Sequence, residues 1–166
     1  MNNLIFSGEN DVFIKWAEIV STPYEDSKET HLTQFSSIEL EKYKEIGLDF
    51  HYELHMSSSK PFIRFDCHIY KYSNHKNYKT EENMLESLSN ENKLHIYYIR
   101  QRLKEIFKKE FYNRCSESYI ADKYNYLGLI KRNINTLNYN EAIIESEKFI
   151  KDTYDKVIKL IKDVIN

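Results

Sequence analysis

The sequence is poor in the residues that most often break or reshape a backbone. It has 3 glycines, 2 prolines and 2 cysteines in 166 residues. With glycine only at positions 8, 47 and 128, a glycine-rich loop that cradles phosphate cannot be built. The motifs GxGxxG, GxxxxGK[ST], GxSxG and HExxH are also absent. These absences favour a non-catalytic protein over an enzyme of the common kinds.

Cysteines and long apolar runs are equally scarce. Cys67 falls in a predicted strand and Cys115 at the end of a predicted helix, with no CxxC motif, so a structural disulfide is not expected. No stretch approaches the roughly 18 apolar residues of a membrane span, and the first residues lack the basic start of a signal peptide. We therefore expect a cytoplasmic protein without membrane contact.

The chain does have the composition of one ordinary folded domain. Hydrophobic residues make up 41% and charged residues 30%, which predicts a single domain over 1–166. Lysine outnumbers arginine, and asparagine, isoleucine and the 14 tyrosines are abundant. Such usage is common in AT-rich genomes, and we expect a phage or mobile-element origin.

The N-terminal third predicts a mixture of short elements. We expect a strand over 3–6, a helix that follows Asn10, and a polar loop over 22–35. The helix rests on four apolar residues at helical spacing, Phe13, Trp16, Ala17 and Val20. A second helix over 37–46 is bounded by a capping box and a terminal glycine, Ser36 with Glu39 and Gly47.

Two strands then alternate strictly between apolar and polar residues, over 48–57 and 62–72. The turn between them contains Pro61, which needs no ladder hydrogen bond there. One face is apolar: Leu48, Phe50, Tyr52, Leu54, Met56, Ile63, Phe65, Cys67 and Ile69. The pattern predicts an antiparallel β-hairpin with this face in the core.

The polar face of this hairpin carries the one cluster that could do chemistry. A four-residue turn puts Ser57 opposite Phe62, and this register places like charges face to face, Glu53 opposite Asp66. It also puts His51 opposite His68, with His55 facing Arg64 and Asp49 facing Tyr70. Neighbours across a ladder have Cβ atoms about 5 Å apart. His51, Glu53, Asp66 and His68 could therefore share a divalent metal ion or form an acid–base pair.

Two interpretations of this polar face stay open. Antiparallel sheets commonly leave one face to water, and a solvated face explains the same alternation without any function. We favour that interpretation, with the metal site as the alternative. No cofactor other than a divalent metal ion is expected.

The C-terminal half predicts helices. The first spans 81–89 after Thr80, and the second runs from Asn90 or Asn92 to about 113. An irregular helix is predicted over 117–135 and a final one over 140–165. The second has a buried stripe of Ile96, Ile99, Leu103, Ile106 and Phe107. The last has a long apolar seam: Ile143, Ile150, Tyr154, Val157, Ile161 and Val164. The seam is expected to pack on the chain's own core, with a homodimer as the alternative. Strands in front and helices behind predict an α+β fold.

Charge is unevenly distributed, although the net charge is only −2. The predicted helix around 93–114 carries a basic strip of Arg100, Arg102, Lys104, Lys108 and Lys109. Tyr97, Tyr98 and Tyr112 lie nearby and could stack on bases. The strip is either an ordinary solvated helix face, which we favour, or a surface for an acidic partner, protein or nucleic acid.

Three functions follow from these patterns. The leading hypothesis is a non-catalytic inhibitor or adaptor that binds a protein partner, because catalytic motifs are absent and charge is split between surfaces. The second is a nucleic-acid-binding accessory protein that uses the basic helix at 93–114. The third is a metal-dependent hydrolase or nuclease built on the hairpin cluster.

Overall fold

The computed structural model describes residues 3–7, 12–21, 30–56, 60–69, 90–111, 121–122 and 126–165. Side-chain burial and contacts are described for 33–56, 60–69, 95–111 and 127–165. The predicted helix over 81–89, the strand residues 70–72, Tyr112 and Cys115 lie outside these ranges.

One antiparallel sheet organises the described residues. Its seven strands are β1 (Asn3–Ser7), β2 (Val12–Ser21), β3 (Thr30–Ser37), β4 (Leu48–Met56), β5 (Phe62–Ile69), β6 (Ala121–Asp122) and β7 (Tyr126–Asn133). They lie in the order β1-β2-β3-β4-β5-β7-β6, with every neighbouring pair antiparallel. The predicted hairpin is therefore confirmed as the β4–β5 pair in the middle of a larger sheet.

Three α-helices complete this part of the chain. They are α1 (Ile38–Glu41), which continues into a 3-10 turn over Lys42–Ile46, α2 (Asn90–Phe111) and α3 (Tyr139–Ile165). The predicted α+β class is confirmed, with long helices in the C-terminal half. Among the described residues, no helix combines the length and the apolar character that crossing a membrane requires.

The apolar face of the sheet packs against α2 and α3. The ring of Phe65 stacks on Phe107 of α2, with centroids 6.1 Å apart. Tyr52 meets Phe149 of α3 edge-on at 6.1 Å, and its hydroxyl forms a hydrogen bond of 3.1 Å with the hydroxyl of Thr153. The core of the described residues thus lies between the sheet and the two long helices.

Both predicted helix stripes are found in this core. In α2 the stripe residues are buried, apart from Ile106, which is partly buried. In α3 the buried seam residues are Ile150, Tyr154, Val157, Ile161 and Val164, with Ile143 partly buried. Asn138 caps α3, since its side-chain oxygen accepts a hydrogen bond from the backbone N–H of Glu141 at 3.2 Å. The seam packs on the chain's own core, in agreement with the first interpretation.

Two predictions for the N-terminal third were wrong. Residues 12–21 form strand β2 instead of a helix, and residues 30–35 belong to strand β3 instead of a loop. The helical spacing in β2 comes from a run of β-branched and aromatic residues, which suits a strand equally well. A β-bulge at Trp16, between the pairs Lys15–Phe35 and Ala17–Gln34, adds one residue to the strand.

The helix predicted over 117–135 was also wrong, because residues 126–133 form strand β7 beside β5. The segment YLGLIKRN has no clean two-residue alternation. A bulge at Leu129, between the pairs Phe65–Ile130 and Asp66–Gly128, interrupts it. The extra residue shifts the pattern by one, so periodicity alone could not identify this strand.

The predicted helix over 37–46 is confirmed, but its N-cap residue differs from the predicted one. Its N-cap is Ser37, which accepts a hydrogen bond from the N–H of Leu40 at 3.2 Å, and Ser36 instead donates to Glu41. Gly47 ends the segment with a positive φ of 88°, which glycine adopts without steric cost. β4 starts at the next residue.

Candidate metal centre

The register of the central hairpin differs from the predicted one by two residues. His55 lies opposite Phe62, Glu53 opposite Arg64, and His51 opposite Asp66. Side-chain direction repeats every two residues, so the predicted faces are correct although the predicted partners were wrong. Glu53 and Asp66 do not face each other across the ladder, because each acid lies opposite a basic or protonatable side chain. The negative charge of Glu53 nevertheless contributes to the raised pKa of Asp66.

The polar face is buried, and the favoured interpretation of a solvated face was therefore wrong. Asp66 is fully buried, and His51 and Glu53 are 2% and 3% exposed. Arg64 and His68 are each 8% exposed. A buried polar layer must satisfy its own charges and hydrogen bonds, because water cannot do so.

Glu53 is the centre of this polar layer. Its Oε1 accepts a hydrogen bond from the Gln34 side-chain amide at 2.8 Å and lies 3.0 Å from His51 Nε2. Its Oε2 accepts from Arg64 at 2.9 Å and lies 3.0 Å from His55 Nε2. His68 Nε2 is 3.7 Å from Oε1. One carboxylate thus joins side chains of β3, β4 and β5.

Arg64 bridges the two acids of the cluster. Its Nη2 donates to Glu53 Oε2, and its Nε donates to Asp66 Oδ2 at 2.5 Å. The other carboxylate oxygen of Asp66, Oδ1, is buried and has no hydrogen-bond partner among the described residues. Gly128 lies opposite Asp66 in β7 and adds no side chain beside it. Each acid therefore uses one oxygen for Arg64, and the second oxygen of Asp66 is available for another ligand.

His51 is held from both sides. Its Nδ1 lies 3.3 Å from Asp49 Oδ1, and its Nε2 lies 3.0 Å from Glu53 Oε1. The ring stacks on His68 with centroids 4.6 Å apart. A carboxylate on one imidazole nitrogen, with the other nitrogen aimed at a site, is the arrangement typical of metal-binding histidines.

The same contacts shift the pKa values of the layer. Burial alone lowers the pKa of His51, but its hydrogen bonds to Asp49 and Glu53 outweigh burial and raise the pKa to about 10. Burial raises the pKa of Glu53, but hydrogen bonds from His51 and His55 bring it well below its ordinary value. Burial is the main cause that raises the pKa of Asp66. Without a metal, a proton on His51 therefore balances the negative charge of Glu53.

The four side chains predicted as metal ligands lie close together in the structure. One ligand atom from each of His51, Glu53, Asp66 and His68 can be chosen so that all lie within 4.8 Å of one another. A tetrahedral zinc site with bonds of about 2.0–2.2 Å places its ligand atoms roughly 3.3–3.6 Å apart. His68 Nε2 lies 3.7 Å from Asp66 Oδ2, the oxygen that also accepts from Arg64. The four side chains could therefore hold a metal ion.

The sequence did not identify two contributors, Asp49 and Gln34, and it gave a third, Arg64, the wrong partner across the ladder. Asp49 alternates on the polar face, and the wrong register assigned it to Tyr70 instead of the cluster. Gln34 was placed in a loop, so nothing linked it to Glu53. Arg64 was assigned to His55, although opposite charges across a ladder favour the Glu53–Arg64 pair.

Only some residues of the predicted basic strip are exposed to solvent. Arg100 is 1% exposed and lies in the layer between α2 and the sheet, so it was wrong to place it on the exposed strip. Arg102, Lys108 and Lys109 are exposed, and Lys104 is half-buried. Arg102, Lys108 and Lys109 therefore lie on the solvent side of α2, and Lys104 lies at the edge of the buried stripe.

No protein-family model matches the chain, and no curated protein or solved structure is significantly similar to it.

Proposed function

We propose that the protein binds a divalent transition-metal ion of the zinc type through His51, Glu53, Asp66 and His68. The observation that carries this proposal is the convergence of two imidazoles and two carboxylates within 4.8 Å in a buried layer. Imidazole nitrogen with carboxylate oxygen is a ligand set that suits zinc and similar ions.

The residues around the four ligands support the same conclusion. Asp49 would orient His51 through Nδ1, and Arg64 would hold one oxygen of each carboxylate. Such outer contacts fix ligand direction in metal sites. The metal would replace the proton on His51, so binding would release a proton and strengthen as the pH rises.

Burial supports binding over catalysis. A catalytic metal needs a coordination position that substrate and water can reach, whereas each of the four proposed ligands is at most 8% exposed. We therefore propose a metal that stabilises the sheet. The metal-dependent hydrolase and the inhibitor or adaptor that acts on a protein partner both stay predictions.

The test is metal analysis combined with thermal melting of tag-free protein. After treatment with a chelator, addition of zinc at about 100 times its Kd is expected to raise the Tm by about 5–10 °C. Native mass spectrometry is expected to show one ion per chain. Both effects are expected to disappear in His68→Ala and in the near-isosteric Asp66→Asn.

His95→Ala is the matched control, since His95 is an exposed histidine on α2. It is expected to keep the full Tm rise. If zinc leaves both the melting curve and the native mass of the wild type unchanged, the proposal fails. The cluster is then an ionic network held together by a proton on His51.

A further inference from the structure

The exposed side of α2 combines aromatic rings with positive charge. With 3.6 residues per turn, Tyr98, Arg102 and Lys109 fall on one line, opposite the stripe that packs on the sheet. Tyr98 is 60% exposed, and the other two are exposed as well. The Arg102 guanidinium lies over the Tyr98 ring, 5.8 Å from its centroid.

A second line lies about 120° around the helix from the first, with exposed Glu105 between the two. It starts at Tyr97, which is 47% exposed, and continues through half-buried Lys104 to exposed Lys108. Each line thus begins with an exposed tyrosine and continues with cations towards the C-terminal end of α2. From Tyr98 to Lys109 the rise of an α-helix spans about 16 Å.

Little negative charge opposes these cations. Between residues 95 and 111 the acidic residues are Glu105, which is exposed, and Glu110. Glu110 is paired with Lys156 of α3 at 3.0 Å. The face consisting of Tyr97, Tyr98, Arg102, Lys104, Lys108 and Lys109, which we call the α2 face, therefore carries a net positive charge.

We propose that the α2 face binds single-stranded nucleic acid, with the tyrosines stacking on bases and the cations contacting phosphates. Cations alone would suit any acidic partner. Rings exposed beside the cations specifically suit unpaired bases, whose flat faces a duplex keeps stacked inside. This inference is independent of the metal site, which lies on the other face of the sheet from α2.

The test is fluorescence anisotropy with a labelled oligothymidylate of about 12 nucleotides, a length within the usual range of binding sites. We expect binding that weakens with salt, with a log–log slope of about −0.7 for each phosphate contacted. Tyr98→Ala is expected to weaken binding by about tenfold. Lys109→Glu is expected to weaken it and to reduce the slope.

Lys159→Glu is the matched control, because it changes the net charge equally at an exposed lysine of α3. It is expected to leave the affinity within about twofold, and circular dichroism checks that every variant is folded. The proposal is overturned if the oligonucleotide does not bind at low salt, or if the two lysine variants weaken binding equally. It is also overturned if Tyr98→Ala binds like the wild type, because the contact is then purely ionic.

Discussion

At the scale of single residues, the polar layer places each buried acid beside a positive or protonatable group. Asp49 lies near His51 and Lys44, at 3.3 and 3.6 Å, and Arg64 contacts both Glu53 and Asp66. A buried charge without such a partner would cost several kcal/mol. These pairings explain how a sheet face with so many ionisable groups can be buried at all.

The His51 contacts predict a dependence of stability on pH in metal-free protein. The folded-state pKa of His51, about 10, lies above its ordinary value of 6.5. Protonated His51 therefore stabilises the fold fully below pH 6.5, and this contribution is lost as the pH rises from 6.5 to 10. We expect the Tm difference between wild type and His51→Gln, measured in chelator, to shrink over that range.

The histidine control for this experiment is again His95→Ala, whose Tm difference from the wild type is expected to stay constant over the same range. A difference for His51→Gln that is flat between pH 6.5 and 10 would contradict the prediction. It would show that His51 is already neutral in the folded protein.

At the scale of elements, Gly47 joins the α1 segment to β4, the strand that supplies His51 and Glu53. Its φ of 88° lies in the left-handed region, where a non-glycine residue costs about 1–2 kcal/mol. We expect Gly47→Ala to lower the free energy of unfolding by this amount in urea titrations. An added Cβ would lie 3.4 Å from Ile96 Cδ1, so backbone conformation is expected to dominate over crowding.

Gly47→Asn distinguishes conformation from crowding at this position. Asparagine is larger than alanine but tolerates the left-handed conformation better. It is therefore expected to destabilise the protein less than alanine does. If asparagine is the more harmful substitution, contact with Ile96 is the main cost.

At the scale of the whole molecule, the sheet separates two buried layers of opposite character. The apolar layer lies against α2 and α3, and the polar layer holds the ionic cluster. Cys67 points into the apolar layer, where it is 1% exposed. Burial raises the pKa of its thiol to about 12, so it is both covered and protonated at ordinary pH.

Cys67 can therefore report on opening of the whole fold. In a Cys115→Ser background at pH 8, a thiol reagent is expected to modify Cys67 only as fast as the helices separate from the sheet. The reaction is expected to accelerate with urea in parallel with global unfolding measured by circular dichroism. The urea-unfolded protein supplies the reference rate, and native protein that reacts nearly as fast would contradict the packing described.

Much of the fold and of the candidate site could be predicted from local patterns. Strict alternation identified β4 and β5 and the direction of every side chain in them. Apolar spacing identified α2 and α3. The four proposed ligands were found because alternation alone assigns His51, Glu53, Asp66 and His68 to one face, whatever the register.

The partners and the surroundings of these residues depend on contacts between distant parts of the chain. Hairpin register depends on the turn and on side-chain pairings across the strands. β2 and β7 are strands because they form hydrogen bonds with neighbouring strands, each with one bulge. Burial of the polar face and of Arg100 depends on which distant segments pack against them, and local sequence does not encode this packing. Local sequence thus sets which residues share a face of a strand or helix, whereas long-range packing sets which of them meet and whether water reaches them.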